Sequence, residues 1–133
     1  MAVGFIRSLA SLAGLGLALA LSAPLSQAQK SEAQAPSPEQ ARDCTISYWM
    51  LGVTGRDSAL GGEMRNRSLA ALGAYRKLAA LSVEDAFRAL NAAGRPRADD
   101  LRTGKLTKTE LVVEAKTCDR IYDWPAVDYS AAG

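Results

Sequence analysis

The chain of 133 residues holds two cysteines, Cys44 and Cys118, and each falls on the apolar stripe of a segment with helical spacing. In the first segment Ala41, Cys44, Tyr48 and Leu51 recur at i, i+3, i+7 and i+10. In the last, Leu111, Ala115, Cys118 and Tyr122 recur at i, i+4, i+7 and i+11, widened by Val112 and Ile121. Two independently patterned helices that each turn a thiol inward meet the first requirement of a bridge between packed helices. One pair allows one intramolecular bridge. It would close a loop of about 74 residues, worth roughly 4–5 kcal/mol of unfolded-state entropy. Against a typical total stability of about 5–15 kcal/mol, such a staple decides whether a small domain folds.

An oxidising compartment is also what the N-terminus implies. Residues 1–28 read as a secretory signal peptide: one charge at Arg7, an apolar run from Leu9 to Leu21, Pro24, and the small Ser26 and Ala28 before a cleavage after Ala28. The run is shorter than the ~20 residues of a membrane span. The expected destination is therefore the periplasm or the exterior, with no membrane attachment after cleavage. The remainder suits one small domain. Its 16 Lys and Arg against 14 Asp and Glu, less Arg7, give no long-range pull toward nucleic acid. Clusters such as Arg65-Asn66-Arg67 and Arg76-Lys77 read as solvated helix faces.

Residues 29–37 contain no large apolar residue and read as a disordered leader. Ser37, Pro38 and Gln40 then make a capping box with proline at the first helical position. They open a helix of about 38–53, ended by Gly52 and Gly55. It is apolar on more than one side, with only Gln40, Asp43 and Ser47 clearly polar, so it suits the central member of a bundle. A second helix begins near Asp57 or Ser58, or at Glu63 if Gly61-Gly62 disrupts its first turn, and reaches about Leu81. Its arc is Leu60, Met64, Ala71, Tyr75 and Leu78. A short third helix starts at the Ser82 cap, buries Val83, Ala86, Phe87 and Leu90, and ends at Gly94 before Pro96. Residues 95–106 read as a loop with at most one helical turn, at 97–102. The last helix starts at the Thr107/Glu110 capping box, with Leu106 and Leu111 as its staple, and Pro125 stops it after Trp124. The expected fold class is all-α: a small up-down bundle of about four helices over 38–125, stapled by one disulfide, with 126–133 a plain flexible tail.

Histidine is absent from the chain, which removes Ser-His-Asp and Cys-His catalysis, the ordinary zinc sites and His-ligated haem. No metal site and no cofactor is expected. Glu114 is the one charged group inside the apolar arc of the last helix. If buried it would be a perturbed carboxylate able to act as general acid or base; at the arc's edge it would pair with an arginine such as Arg42. Asp119 and Asp123 read as a solvated i,i+4 pair. The first helix offers a different prospect. Trp49 lies off the main stripe beside Ile46, Met50 and Val53, and one small bundle does not cover both sides of that helix. An uncovered apolar patch there would be a surface for a protein partner, a second copy or an apolar ligand.

In layout (short, exported, helical, two cysteines) the chain resembles the small periplasmic acid-stress chaperones. The resemblance stops at layout: the cysteines are spaced farther apart here, and no functional residue carries over. The expected function is a non-catalytic envelope protein that binds a partner or an apolar ligand. The alternatives are an acid-type chaperone, and an enzyme using Glu114.

Overall fold

In the computed structural model the described residues are 35–132; the expected signal peptide of 1–28 and the expected leader up to residue 34 lie outside them. Four helices follow in order: α1 Pro38–Thr54, α2 Ala59–Ala79, α3 Val83–Thr103 and α4 Lys108–Ile121. A 3₁₀ turn at Tyr129–Ala132 comes last. The described residues contain no strand, and Cys44 is bridged to Cys118 across a Cα–Cα distance of 5.7 Å. The fold class is all-α, stapled between the first and last helices.

Local chemistry sets most of the helix ends. Ser37 accepts from the Gln40 N–H while the Gln40 side chain accepts from the Ser37 N–H. Thr107 and Glu110 repeat that reciprocal cap on α4. The Thr107 N–H and hydroxyl, both donating, hold the Glu110 carboxyl below its usual range. The Ser58 hydroxyl accepts from the Gly61 N–H, so α2 starts at Ala59 and the glycine pair lies inside it. Gly61 is there for close approach: a Cβ on it would sit 1.8 Å from the Gly55 carbonyl oxygen. Gly62 meets only the distal end of Arg65, so the two glycines differ in kind.

The central placement of α1 follows from its all-round apolar pattern. Nine of its 17 residues are buried, with Tyr48 fully so. Ser47, on its nominally polar side, is buried as well, because its hydroxyl donates to Glu114 Oε2 at 2.6 Å. The main core gathers Cys44, Tyr48, Leu51, Met64, Ala71, Leu111, Ala115 and Cys118, and a smaller cluster joins Ala41, Tyr75 and Ala86.

Three segments depart from the sequence reading. First, α3 is not short: it runs through Gly94 and Pro96 and ends at Gly104, whose φ of 79° is the left-handed cap. Pro96 removes the N–H that Ala92 would have bonded, but Ala92 is exposed, so water can take its carbonyl. The second half is tied down by Leu101, packed on the main core, and by Arg97, paired with Glu114. Second, Val83 and Phe87 are not buried; Ala86 alone of the 21 residues is. Third, the C-terminus is not a plain tail. α4 stops at Ile121 because Asp123 adopts φ 51° and the Asp123 and Trp124 N–H groups bond back to Arg120 and Asp119, a Schellman turn. It sends the chain back over the bundle and buries Tyr129.

Candidate functional site

Two places in the bundle concentrate chemistry, one polar and closed, the other apolar and open. The polar one is centred on Asp119, a residue 7% exposed. Its Oδ1 accepts from the Tyr48 hydroxyl at 2.6 Å and from Arg67 at 2.5 Å, and its Oδ2 accepts from the Tyr129 hydroxyl at 2.7 Å. Arg67, 6% exposed, also donates to Glu63 at 2.8 Å and to the Pro125 carbonyl at 2.8 Å. Trp124 lies against the guanidinium, with the Arg67 carbon 5.4 Å from the ring centroid, and stacks on Tyr122 at 4.5 Å. Both oxygens of the carboxylate accept from donors inside the protein, and each of the three guanidinium nitrogens of Arg67 donates to a protein acceptor. The buried Tyr122 hydroxyl, however, has no hydrogen-bond partner among the described residues. With its charge paired to Arg67 and its oxygens enclosed by α1, α2 and the C-terminal turn, the Asp119 carboxylate reads as structural.

Both readings of this region therefore change. Asp119 is not solvated, and Arg67 is not part of an exposed face. Asp123, by contrast, is exposed. The pairing of Asp119 with Arg67 spans helices whose register is not legible along the chain, and each residue alone looks like an ordinary surface charge.

Burial first, and then donation to Asp119, pushes the hydroxyls of Tyr48 and Tyr129 well above the ordinary tyrosine range. The folded state thus holds both protons after the unfolded chain has begun to release them near pH 10. The contribution of these two groups is constant well below that pH and falls above it, with a slope that approaches about 1.4 kcal/mol per pH unit for each tyrosine. Denaturant titration at pH 9, 10 and 11 should show a loss of about 2 kcal/mol over the last unit. An unchanged midpoint would mean that the two hydroxyls are not buried.

Glu114 accepts from Ser47 and Arg97 and is 37% exposed on its side chain. The structure places it at the edge of the arc, with Arg97 as partner; Arg42 bonds its neighbour Asp43 instead. Among the described residues no group of three or more His, Cys, Asp or Glu side chains is placed to hold a metal.

The open place is a groove of about 490 Å³ between α3 and the α1–α2 pair. α1 contributes Thr45, Ile46, Trp49 and Met50, and α2 contributes Ser68, Leu69 and Leu72. The facing wall is α3, through Phe87, Leu90 and residues further along the same stripe. Ile46 and Met50 are buried and form the floor, while Trp49, Leu69 and Phe87 are 52%, 61% and 50% exposed around the opening. The groove exists because α3 is long but anchored at few points. It reaches the smaller cluster through Ala86 and comes close to α1 at Gly94, where an added Cβ would lie 3.8 Å from Ile46. Its volume falls in the range of small-molecule sites, about 300–1,000 Å³.

Of the four residues expected to mark an apolar surface, the structure brings Ile46, Met50 and Trp49 together on this groove. Val53 is exposed one turn further on and does not line it. Leu69, Leu72 and Phe87 were missing from the sequence-based patch. Leu69 and Leu72 fall outside the apolar arc assigned to α2, and Phe87 reads as core on a short amphipathic helix. Comparison of the chain with protein-family models, with curated proteins and with solved structures gives no match.

Proposed function

We propose that this chain is an exported, non-catalytic helical protein that takes an apolar ligand into the groove between α3 and the α1–α2 pair. The observation that carries the reading is the lining itself: Ile46, Trp49, Met50, Leu69, Leu72 and Phe87 from three helices face one half-open space, with large apolar side chains left in solvent at its rim. The non-catalytic part draws on the two carboxylates with chemical promise, since Asp119 is buried and accepts from three donors and Glu114 is ion-paired. Export draws on the leader sequence and on the Cys44–Cys118 bridge. No helix of the described residues is long and apolar enough to cross a membrane.

The test is titration with an uncharged fluorescent probe, N-phenyl-1-naphthylamine. Saturable enhancement with one probe per chain is expected. Leu69→Asp places a charge at the rim, on a side chain that supports no core contact, so it should weaken binding at least about tenfold while the thermal melt is retained. Probe binding that is absent, or indifferent to Leu69→Asp, would overturn the reading.

A further inference from the structure

The groove is not uniform along its length. The α3 residues that line it, Phe87, Leu90, Asn91, Gly94, Arg95 and Ala98, occur at i, i+3, i+4, i+7, i+8 and i+11. They form one stripe about 16 Å long. Its first half carries Phe87 and Leu90, and its second half carries Arg95. Arg95 is the one charged residue of the lining.

The surrounding charges leave it available. Arg97 pairs with Glu114 and Arg102 with Asp99, whereas among the described residues Arg95 has no carboxylate within ion-pair distance. The hydroxyls of the lining are already committed: Thr45 donates to the Ala41 carbonyl at 2.8 Å and Ser68 to the Thr45 carbonyl at 2.9 Å. The donors of the lining that make no hydrogen bond within the described residues are therefore the Trp49 indole N–H, Arg95 and the Asn91 amide, of which Arg95 alone is charged. A site apolar along one end and cationic at the other is complementary to a molecule of the reverse polarity.

We infer that the occupant is a single-chain amphiphile with an anionic head, of the fatty-acid class. Its hydrocarbon lies along Ile46, Trp49, Met50 and Phe87, and its carboxylate sits at Arg95 beside Asn91. This rests on the reading of the groove as an apolar-ligand site and adds the polarity of the ligand. A stripe of about 16 Å accommodates an extended medium-length chain. An uncharged chain would gain the apolar contacts but leave the guanidinium without a counter-charge.

Decanoate and decanol, equal in chain length and different in head group, are titrated at neutral pH into the oxidised protein by calorimetry. Decanoate should bind about tenfold more tightly, the size of one charge-assisted contact at a half-open site. Arg95→Gln should remove that preference and leave decanol binding unchanged; Arg95→Lys should restore most of it. Arg95 is exposed, so neither variant perturbs the core. Equal affinity for the two ligands, or a preference that survives Arg95→Gln, would overturn the anionic head while the apolar site stands. Binding of neither ligand, with the uncharged probe also excluded, would overturn both readings. So would a dimer by sedimentation in which the groove is covered by a second copy. Capture on phosphatidylglycerol vesicles without decanoate binding would overturn the inference in favour of a membrane surface.

Discussion

Asp119→Ala should lower the stability of the oxidised protein by about 3–5 kcal/mol, the largest effect expected of any single side chain here. The carboxylate is the common acceptor of three donors from α1, α2 and the C-terminal turn. Removing it leaves the Arg67 guanidinium at 6% exposure with its charge opposed only by Glu63, which is itself half in water. It also takes Asp119 away from the buried hydroxyls of Tyr129 and Tyr48, the latter keeping only the Ala115 carbonyl at 3.4 Å. These losses, about 1–3 kcal/mol each taken alone, overlap with that of the ion pair within the total. The context makes these losses interdependent, so the double variant Asp119→Ala, Arg67→Met should be markedly less unstable than the two single changes summed. Guanidinium titration of the four proteins measures this directly. A single-variant loss below 1 kcal/mol would show that water reaches the site and replaces the carboxylate.

The second large effect concerns the bridge. Cys44 and Cys118 are 74 residues apart and both buried. In the chain-entropy account, replacing both by Ser relaxes the unfolded ensemble by about 4.5 kcal/mol. It also places two hydroxyls in the main core. The loss should appear in the denaturation midpoint of Cys44→Ser, Cys118→Ser, together with a rise in hydrogen exchange of α4 amides, since α4 is the helix that the bridge fastens to α1. A loss of less than about 1 kcal/mol would mean that the reduced chain retains enough compactness to cancel the entropy term.

The parts of the fold that follow from local rules were legible in the chain. The two capping boxes, the N-cap at Ser82 and the inward stripes that carry Cys44 and Cys118 all depend on residues three or four positions apart. The start of α2 was open between Asp57, Ser58 and Glu63, and only the close approach of Gly61 to Gly55 decides it. What failed was read from helix-breaking residues in isolation. Gly94 and Pro96 looked like a terminus, but Leu101 and the Arg97–Glu114 pair supply tertiary anchoring that overrides local preference. Asp123, which does end α4, gave no such signal, because an aspartate in the left-handed region is selected by the turn that forms around it.

The candidate site divides in the same way. Ile46, Trp49 and Met50 were identified because α1 is too apolar for one neighbour to cover, a property of its own composition. Arg95 and Phe87 were not, since their role exists only once α3 is long enough to stand opposite α1. The Asp119 centre was hidden for a further reason: a buried salt bridge is two ordinary charges until the topology brings them together, and its donors come from residues 48, 67 and 129.

A wall of 21 residues that commits a single side chain, Ala86, to full burial, and is otherwise held by partly buried contacts such as Leu90 and Leu101 and by the Arg97–Glu114 pair, is fastened more lightly than the other three helices. Local opening free energies scale with such commitment, so α3 is the part of the bundle that separates most easily, while the bridge and the Asp119 centre keep α1, α2 and α4 fixed. The width of the groove is thus governed by its least anchored side. On the proposed reading of the groove, a small outward displacement of α3 would admit ligands of different girth while α1, α2 and α4 stay in place.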